Sequence, residues 1–383
     1  MTVFFIDPQS YHGLEVYDKS LLDNVDENTS ILFVCSSLLK TEKVGKGDHI
    51  QIKRVFNYNS QKGILKLISY CCSLLQIRRL VKKHRPKVIH IQWIRVPYVD
   101  LLFYRFIKRH YKIKIVFTAH NVVPHESNSR ENKLYGRFYS IVDSIIVHEN
   151  RSAELLQKYF NVKPESISVI RHGVLDLPTD PVLVQKEYDD IVSKHNIPEN
   201  AIVFASLGLQ SYYKGVDVLI DLWNKHAKEF EDLSCHLILA GSFNGLSTEA
   251  INKNDNVHVE NSYVSNERLK AYMKRTNVAL LPYREISQSG LLLTAIASKT
   301  PFLVTDVGGI SEPLSIADVG WMISHCDEEL LYQMMLQLAK NTHKVLDKKF
   351  NNDQAWEKVQ SAYSWGSIGT KTSKLYKDLL KLA

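Results

Sequence analysis

Two series of short, uniformly apolar runs, each interleaved with longer helical patterns, constrain this chain more than any other feature. In the first half the runs lie at 3–6, 31–34, 88–91, 115–118 and 144–147. Strands this short and this apolar are expected where both faces of a sheet are covered by helices. Stretches 63–83 and 100–111 have helical spacing and length, so the alternation predicts a parallel, doubly wound sheet. After a proline-bearing break at 175–188 (LDLPTDPVLVQKEY), read as a linker, a second series begins at 202–207 and continues at 236–240, 257–259, 278–281 and 302–304. Helical patterns at 216–230, 267–274 and 291–298 separate these runs, and the tail from Glu328 reads as wholly helical.

Length agrees with this division. A chain of 383 residues exceeds one ordinary core, which stops growing near ~250–300 residues, so two domains are expected. The expected boundaries are 1–174, a linker at 175–188, a second domain at 189–365 and a terminal helix at 366–383. Two such domains make a cleft between them the default ligand site. The opening MTVFFID lacks the order of a signal peptide, and no uncharged apolar stretch, 67–77 included, is long enough to span a bilayer. Five cysteines, odd in number and without metal-ligand spacing, fit a reducing cytosol and argue against a disulfide scaffold or a zinc site.

Candidate functional residues sit at strand ends. GLQSYYKG, from Gly208 to Gly215, lies between a strand and a helix; its glycines allow close backbone approach and Lys214 adds charge where a helix N-terminus already favours an anion. A solvated lysine in a strand-to-helix loop gives the same pattern. Ile286-Ser287-Gln288-Ser289-Gly290 opens an apolar helix whose first N–H groups suit a phosphate, although an N-cap by Ser287 or Ser289 reads equally well. Glu285 beside it is unwelcome near phosphate unless it binds hydroxyls, as on a sugar; otherwise it is a loop charge. In VTDVGGISEP, Gly308 and Gly309 permit a tight turn and Glu312 suits ribose hydroxyls or a helix cap. TAHNVVPHE supplies His120, Asn121 and His125 after a strand, and Tyr11-His12-Gly13 follows the first strand without being GxGxxG. His90, Gln92, Trp93 and His172-Gly173 are further strand-end residues of low specificity. No GxxxxGK[ST], GxSxG, HExxH or CxxC pair occurs, and no kinase signature set.

Charge is uneven. Lys plus Arg number 48 against 41 for Asp plus Glu, a net +7. Twelve of the cations (Arg78, Arg79, Lys82, Lys83, Arg85, Lys87, Arg95, Arg105, Lys108, Arg109, Lys112 and Lys114) fall in one stretch with a single acid, Asp100. The apolar run 64–77 precedes it, and Leu101, Leu102, Tyr104, Phe106 and Tyr111 are interleaved. Basic and aromatic residues on adjoining helices suit an anionic membrane surface, at ~1 kcal/mol per cation near it. A solvated helix face gives the same pattern, and nucleic acid is not expected because no reader motif accompanies the charge.

Taken in order, His120-Asn121, GLQSYYKG, QSG and VGGISEP, together with YKGVDVLI and the late Tyr363-Ser364-Trp365 before a terminal helix, resemble the GT-B glycosyltransferases, specifically retaining family 4 of the bacterial polysaccharide type. The resemblance covers nearly the whole chain. It implies two Rossmann-like α/β domains, with a last helix crossing back to the first. It also implies a nucleotide-sugar donor (UDP- or GDP-sugar foremost), transfer with retention of anomeric configuration, and no metal or other cofactor. The acceptor would be a glycan or lipid-linked glycan, and the place the cytoplasmic face of the cell membrane. Lys214 would contact the donor diphosphate, with Gln288, Ser289 and Gly290 cradling it. His120 would face the transferred sugar, Glu285 its hydroxyls, and Glu312 the nucleoside. Gly13 and Gln210 would join the donor side; His12, Trp93, Asn121 and His125 the acceptor side. Two departures stand out: Leu209 occupies the place of an arginine common in that family, and Thr294 that of a helix glutamate. An epimerase or hydrolase on the same fold, and a non-catalytic basic membrane-binding homologue, stay open as alternatives.

Overall fold

The computed structural model describes residues 1–11, 13–58, 62–122, 129–176, 179–251, 255–341 and 349–381. They form two compact units, Met1–Gly173 with Tyr363–Ala383, and Val174–Ala362.

The first unit holds β1 (Thr2–Asp7), α1 (Gly13–Leu22), β2 (Ser30–Ser36), β3 (Ile50–Phe56), α2 (Gly63–His84), β4 (Val88–Ile91), α3 (Pro97–Tyr111), β5 (Lys114–Thr118), α4 (Ser129–Tyr139), β6 (Ser144–Val147), α5 (Asn150–Phe160) and β7 (Ile167–Val169). The strands make one parallel sheet in the order β3-β2-β1-β4-β5-β6-β7. Both faces are covered, as the apolar runs require. Phe4 and Ile6 point into one core with Tyr70, Leu74 and Ile77 of α2, while Val3 and Phe5 point into the other with Tyr17 and Leu21 of α1. On α2 the buried residues Tyr70, Ser73, Leu74, Ile77 and Val81 recur at helical spacing and form one stripe.

The second unit runs α6 (Pro181–His195), β8 (Ile202–Leu207), β9 (Gln210–Ser211), α7 (Val216–Asp232), β10 (Cys235–Ala240), β11 (Phe243–Asn244), β12 (Val257–Glu260), α8 (Asn266–Arg275), β13 (Val278–Leu281), α9 (Gly290–Ala297), β14 (Phe302–Thr305), α10 (Glu312–Ile316), β15 (Gly320–Ile323), α11 (Glu328–Lys340) and α12 (Asp353–Ala362). Its main sheet is again parallel, ordered β12-β10-β8-β13-β14-β15. The last helix, α13 (Trp365–Lys381), belongs to the first unit, where Ile368, Tyr376 and Leu379 complete the core beside α1.

Two differences from the sequence reading have physical causes. The stretch 175–188, expected as a linker, is helical from Pro181: Asp180 caps the helix by accepting from the Val182 N–H, and proline suits a first helical position because its missing N–H is not needed there. Strands β3, β7 and β15 are absent from the reading because they are sheet edges, only partly buried and without a uniformly apolar run. The tail from Glu328, expected as helical, holds α11, α12 and α13 among the described residues.

Candidate active site

In a parallel sheet, ligands gather at the carboxyl ends of the strands where strand order reverses. In the second unit that point lies between β8 and β13, since β8 leads to β10 and β12 on one side and β13 to β14 and β15 on the other. The loop after β8 is pinned by its own backbone, with the Gly208 N–H on Ala240 O at 2.8 Å and the Gln210 N–H on Ser242 O at 2.9 Å. Gln210 is fully buried and donates its amide hydrogens toward Ser206 O, Gly208 O and Ala240 O, while Ser206 Oγ donates to its Oε1. Those bonds tie the Gln210 side chain to Ser206, Gly208 and Ala240.

Lys214 leaves this loop with its Nζ over the Tyr283 ring, 5.6 Å from the centroid. It has no hydrogen bond or ion pair to any described residue. Burial lowers its ammonium pKa to about 8. The Tyr283 hydroxyl lies 3.2 Å from Ser289 Oγ, and Ser289 caps α9 by accepting from the Leu292 N–H. One tyrosine thus joins the lysine to the start of α9, where the Gly290 and Leu291 N–H groups have no partner among the described residues. Gln288 is partly buried beside them and Glu285 is exposed. The VGGISEP turn folds onto the same loop: the Gly309 N–H donates to Ser287 O at 3.3 Å, and Gly308 has φ +56°. A Cβ at Gly308 would fall 1.8 Å from Ile286 O, so both the close approach and the left-handed backbone call for glycine there. Glu312 begins α10 immediately after this turn. Arg284, the nearest guanidinium in sequence, is committed to Asp217 at 2.7 Å through two bonds.

In the first unit the reversal lies between β1 and β4. The registers of β4, β5 and β6 bring their ends side by side, and these ends carry His90, Gln92, Thr118, His120 and His148. His120 Nε2 is 3.1 Å from Gln92 Oε1 and its Nδ1 is 3.2 Å from His148 Nε2. His148 Nδ1 meets Ile170 O at 2.9 Å. His90 contacts Gln92 Nε2 at 3.0 Å, Thr118 Oγ1 at 2.7 Å and the Tyr376 hydroxyl at 2.6 Å. Trp93 stacks on His120 at 4.9 Å and 8°, and Tyr17 meets His120, His148, His172 and Trp365 edge-on or tilted within 6 Å. Burial drives the imidazoles toward the neutral form: to about 3 for His90 and His148, about 4 for His172, and well below the usual range for His120, where His148, His172 and His90 add to the effect. Trp93 Nε1 is buried with no partner among the described residues.

Of the residues expected on this side, Trp93 and His120 are brought together, Asn121 follows them in partial exposure, and Gly13 opens α1. His12 and His125 lie outside the described residues. Sequence reasoning missed His148, Tyr17, Tyr283 and Tyr376. His148 follows its strand as His120 does and was findable on that rule; the tyrosines carry no local signal.

At the end of β1, Asp7 forms a buried carboxyl pair with Asp18 of α1. Desolvation raises Asp7 to about 6 and Asp18 well above the ordinary carboxylate range. The basic stretch is also sorted by the fold. Leu101 and Tyr104 are core, and Lys108 and Lys114 pair with Asp143. Ile64, Leu65, Leu67, Ile68 and Leu75 of α2, with Tyr98, Leu102 and Phe106 of α3, are exposed beside Lys66, Arg79, Lys82 and Arg109; Arg78 lies 4.9 Å over the Phe106 ring. No described helix is long and apolar enough to cross a membrane.

Comparison with known proteins follows the same two-part division. The model described as Glycosyltransferase Family 4 matches residues 30–175, and the one described as Glycosyl transferases group 1 matches 199–341. No curated protein matches the chain by sequence. Among solved structures, a sucrose-phosphate synthase from Thermosynechococcus elongatus is similar at TM-score 0.70 and 16% identity, over 100% of this chain and 99% of that one. A glycosyltransferase from Rickettsia africae is similar at 0.70 and 15%, over 100% and 99%. HepE from Anabaena, solved with UDP, is similar at 0.68 and 12%, over 100% and 99%. The chain is thus built of a glycosyltransferase family 4-type domain followed by a group 1-type domain, on the GT-B fold.

Proposed function

We propose that this protein transfers a sugar from a nucleotide-sugar donor to a hydroxyl of a glycan or lipid-linked glycan, with retention of anomeric configuration, in the assembly of a cell-surface polysaccharide. One observation carries the reading: Lys214, without an anionic partner among the described residues, shares Tyr283 with a helix start that has two unspent N–H groups. Breaking a sugar–diphosphate bond builds negative charge on the leaving phosphate and positive charge on the ring. A fixed ammonium and oriented amides stabilise that phosphate without reorganising during the reaction. Because these groups meet the charge, the transfer is expected to proceed without a metal and to survive chelators. The departing phosphate oxygen takes the acceptor's proton in a retaining transfer, so no separate base is needed. Glu285 and Glu312 are assigned to sugar and ribose hydroxyls, and His120 to the transferred sugar. HepE was solved with UDP and with UDP-glucose, which favours a uridine hexose nucleotide as the first donor to try, with a guanosine one next.

The exposed apolar residues of α2 and α3, set beside Arg79, Lys82 and Arg109, which have no ion pair among the described residues, support docking on the anionic cytoplasmic face of a membrane, where such an acceptor is anchored. Greater binding to anionic than to neutral vesicles at low salt supports this part; equal binding removes it. The transfer itself is tested with labelled UDP-, GDP-, ADP- and dTDP-sugars and a membrane-lipid or glycan extract. Label moved into an acceptor with the donor's anomeric configuration is the expected result. Donor consumed without an acceptor product would instead mark an epimerase or hydrolase, and no turnover of any donor would overturn the proposal.

A further inference from the structure

The histidines at the ends of β4, β5 and β6 form one unbroken hydrogen-bonded row: Ile170 O, His148, His120, Gln92, His90, Tyr376. Each link has one hydrogen, so the donors and acceptors along it are not independent. The row is anchored at one end by a carbonyl, which only accepts, so His148 Nδ1 carries the hydrogen donated to Ile170 O. In neutral His148, Nε2 is then bare, and His120 Nδ1 must be the donor across their 3.2 Å contact. That leaves His120 Nε2 bare as well.

Facing it is the Gln92 amide, with Oε1 at 3.1 Å from His120 Nε2 and Nε2 at 3.0 Å from His90 Nε2. A carbonyl oxygen against a bare nitrogen makes no bond. Three arrangements resolve the conflict: an imidazolium inside the row, two lone pairs opposed between His120 and His148, or the Gln92 amide turned end for end. The first places a charge among buried groups, namely His90, His148 and His172 with Tyr17 and Trp365 packed on them, and burial has already driven these imidazoles toward neutrality. The second forfeits a hydrogen bond between buried atoms. The third satisfies every link: Gln92 N–H donates to His120 Nε2, His90 Nε2–H donates to Gln92 Oε1 and lies within reach of Thr118 Oγ1, and the Tyr376 hydroxyl donates to His90 Nδ1. The surrounding network decides an amide's orientation.

We infer that His148 and Gln92 are positioning residues that hold His120 as the neutral tautomer with Nδ1 protonated and Nε2 bare, so that His120 offers a partner a hydrogen-bond acceptor and neither a donor nor a transferable proton. Resting on the proposed role of His120 at the transferred sugar, this defines what that role is. A sugar hydroxyl that reaches Nε2 donates to it. A fluorine at that position, which accepts but does not donate, is therefore no better bound than hydrogen.

The test uses the full chain labelled with 15N at histidine. Long-range proton–nitrogen spectra near pH 7.5 separate protonated from bare ring nitrogens, with the His120 signals identified by their loss in His120→Gln. The expected pattern is Nδ1–H with bare Nε2 for His120 and His148, and the reverse for His90. A protonated Nε2 on His120 would overturn the inference. Two variants extend the test. His148→Gln keeps an acceptor near the former Nε2, so the His120 pattern and the transfer rate hold within about twofold. His148→Asn keeps only the donor to Ile170 O, so His120 becomes a tautomer mixture and kcat falls about tenfold with donor KM little changed, the size expected for one hydrogen bond. An unmixed His120 in His148→Asn would contradict the positioning role whatever the rate. If instead the tautomer pattern holds and His120→Gln transfers sugar at the wild-type rate, the fault lies with the role of His120 at the sugar.

Discussion

At the scale of single residues, burial disfavours charge on both Lys214 and the Asp7–Asp18 pair and so moves their pKa values in opposite directions. Lys214 carries an ammonium that burial weakens to about 8, and a bound diphosphate restores its preference for the proton. Affinity for a nucleoside diphosphate should therefore be flat below pH 8 and fall above it, by at most about tenfold per pH unit, a slope that calorimetric titration across pH 7–9.5 reads directly. Asp7 and Asp18 are both raised, so the folded state binds protons more tightly than the unfolded one. For Asp7 this stabilising contribution is present below the unfolded value near 4 and is lost as pH rises through about 6, and Asp18 acts in the same sense. Replacing Asp18→Asn should leave stability little changed at pH 4.5 and raise the melting temperature at pH 8. A variant less stable than wild type at pH 8 would show that the ionised pair has a partner that compensates it.

At the scale of elements, the C-terminal helix α13 is fixed to the loop after α1 by close backbone contact. A Cβ at Gly369 would meet Asn24 O at 2.0 Å, and near it the Asp26 N–H donates to Ser373 Oγ at 2.9 Å while Lys377 pairs with Asp26. Gly369→Ala should cost roughly 1–3 kcal/mol, the usual penalty for overpacking, seen as a lower chemical-denaturation midpoint. The same scale shows what the sequence made legible. Central strands such as β5 and β13 are buried on both faces and announce themselves as apolar runs. Edge strands need only part of that burial: β3 reads IQIKRVF, with Lys53 and Arg54 in the open, and has no such signature. For α6 the two prolines of LDLPTDP signalled an interruption, and one of them proved to be the first residue of a helix.

At the scale of the whole molecule, the site was legible where chemistry sits on a strand end and illegible where it depends on a neighbour in space. Lys214 and Ser289 were readable one at a time; Tyr283, which joins them, became visible only once β13 lay beside β8. The net +7 is likewise informative only by position, since part of it is used internally, by Lys108 and Lys114 on Asp143. Buried histidines in both units give the molecule an acid limit. His90 and His148 in the first unit and His258 in the second are lowered to about 3, below the unfolded value of 6.5. The unfolded chain takes up protons first, so they subtract stability progressively as pH falls from 6.5 toward 3, and urea midpoints across that range should decline. The central claim, a diphosphate site built from Lys214 and the start of α9, is tested most directly by calorimetric titration of wild type and Lys214→Ala with UDP, GDP and ADP at pH 7.5. At least one nucleotide should bind wild type and lose about tenfold or more in affinity in the variant, with melting temperature of the free proteins alike. Equal affinity in the two proteins, or no binding of any nucleotide to wild type, would contradict it.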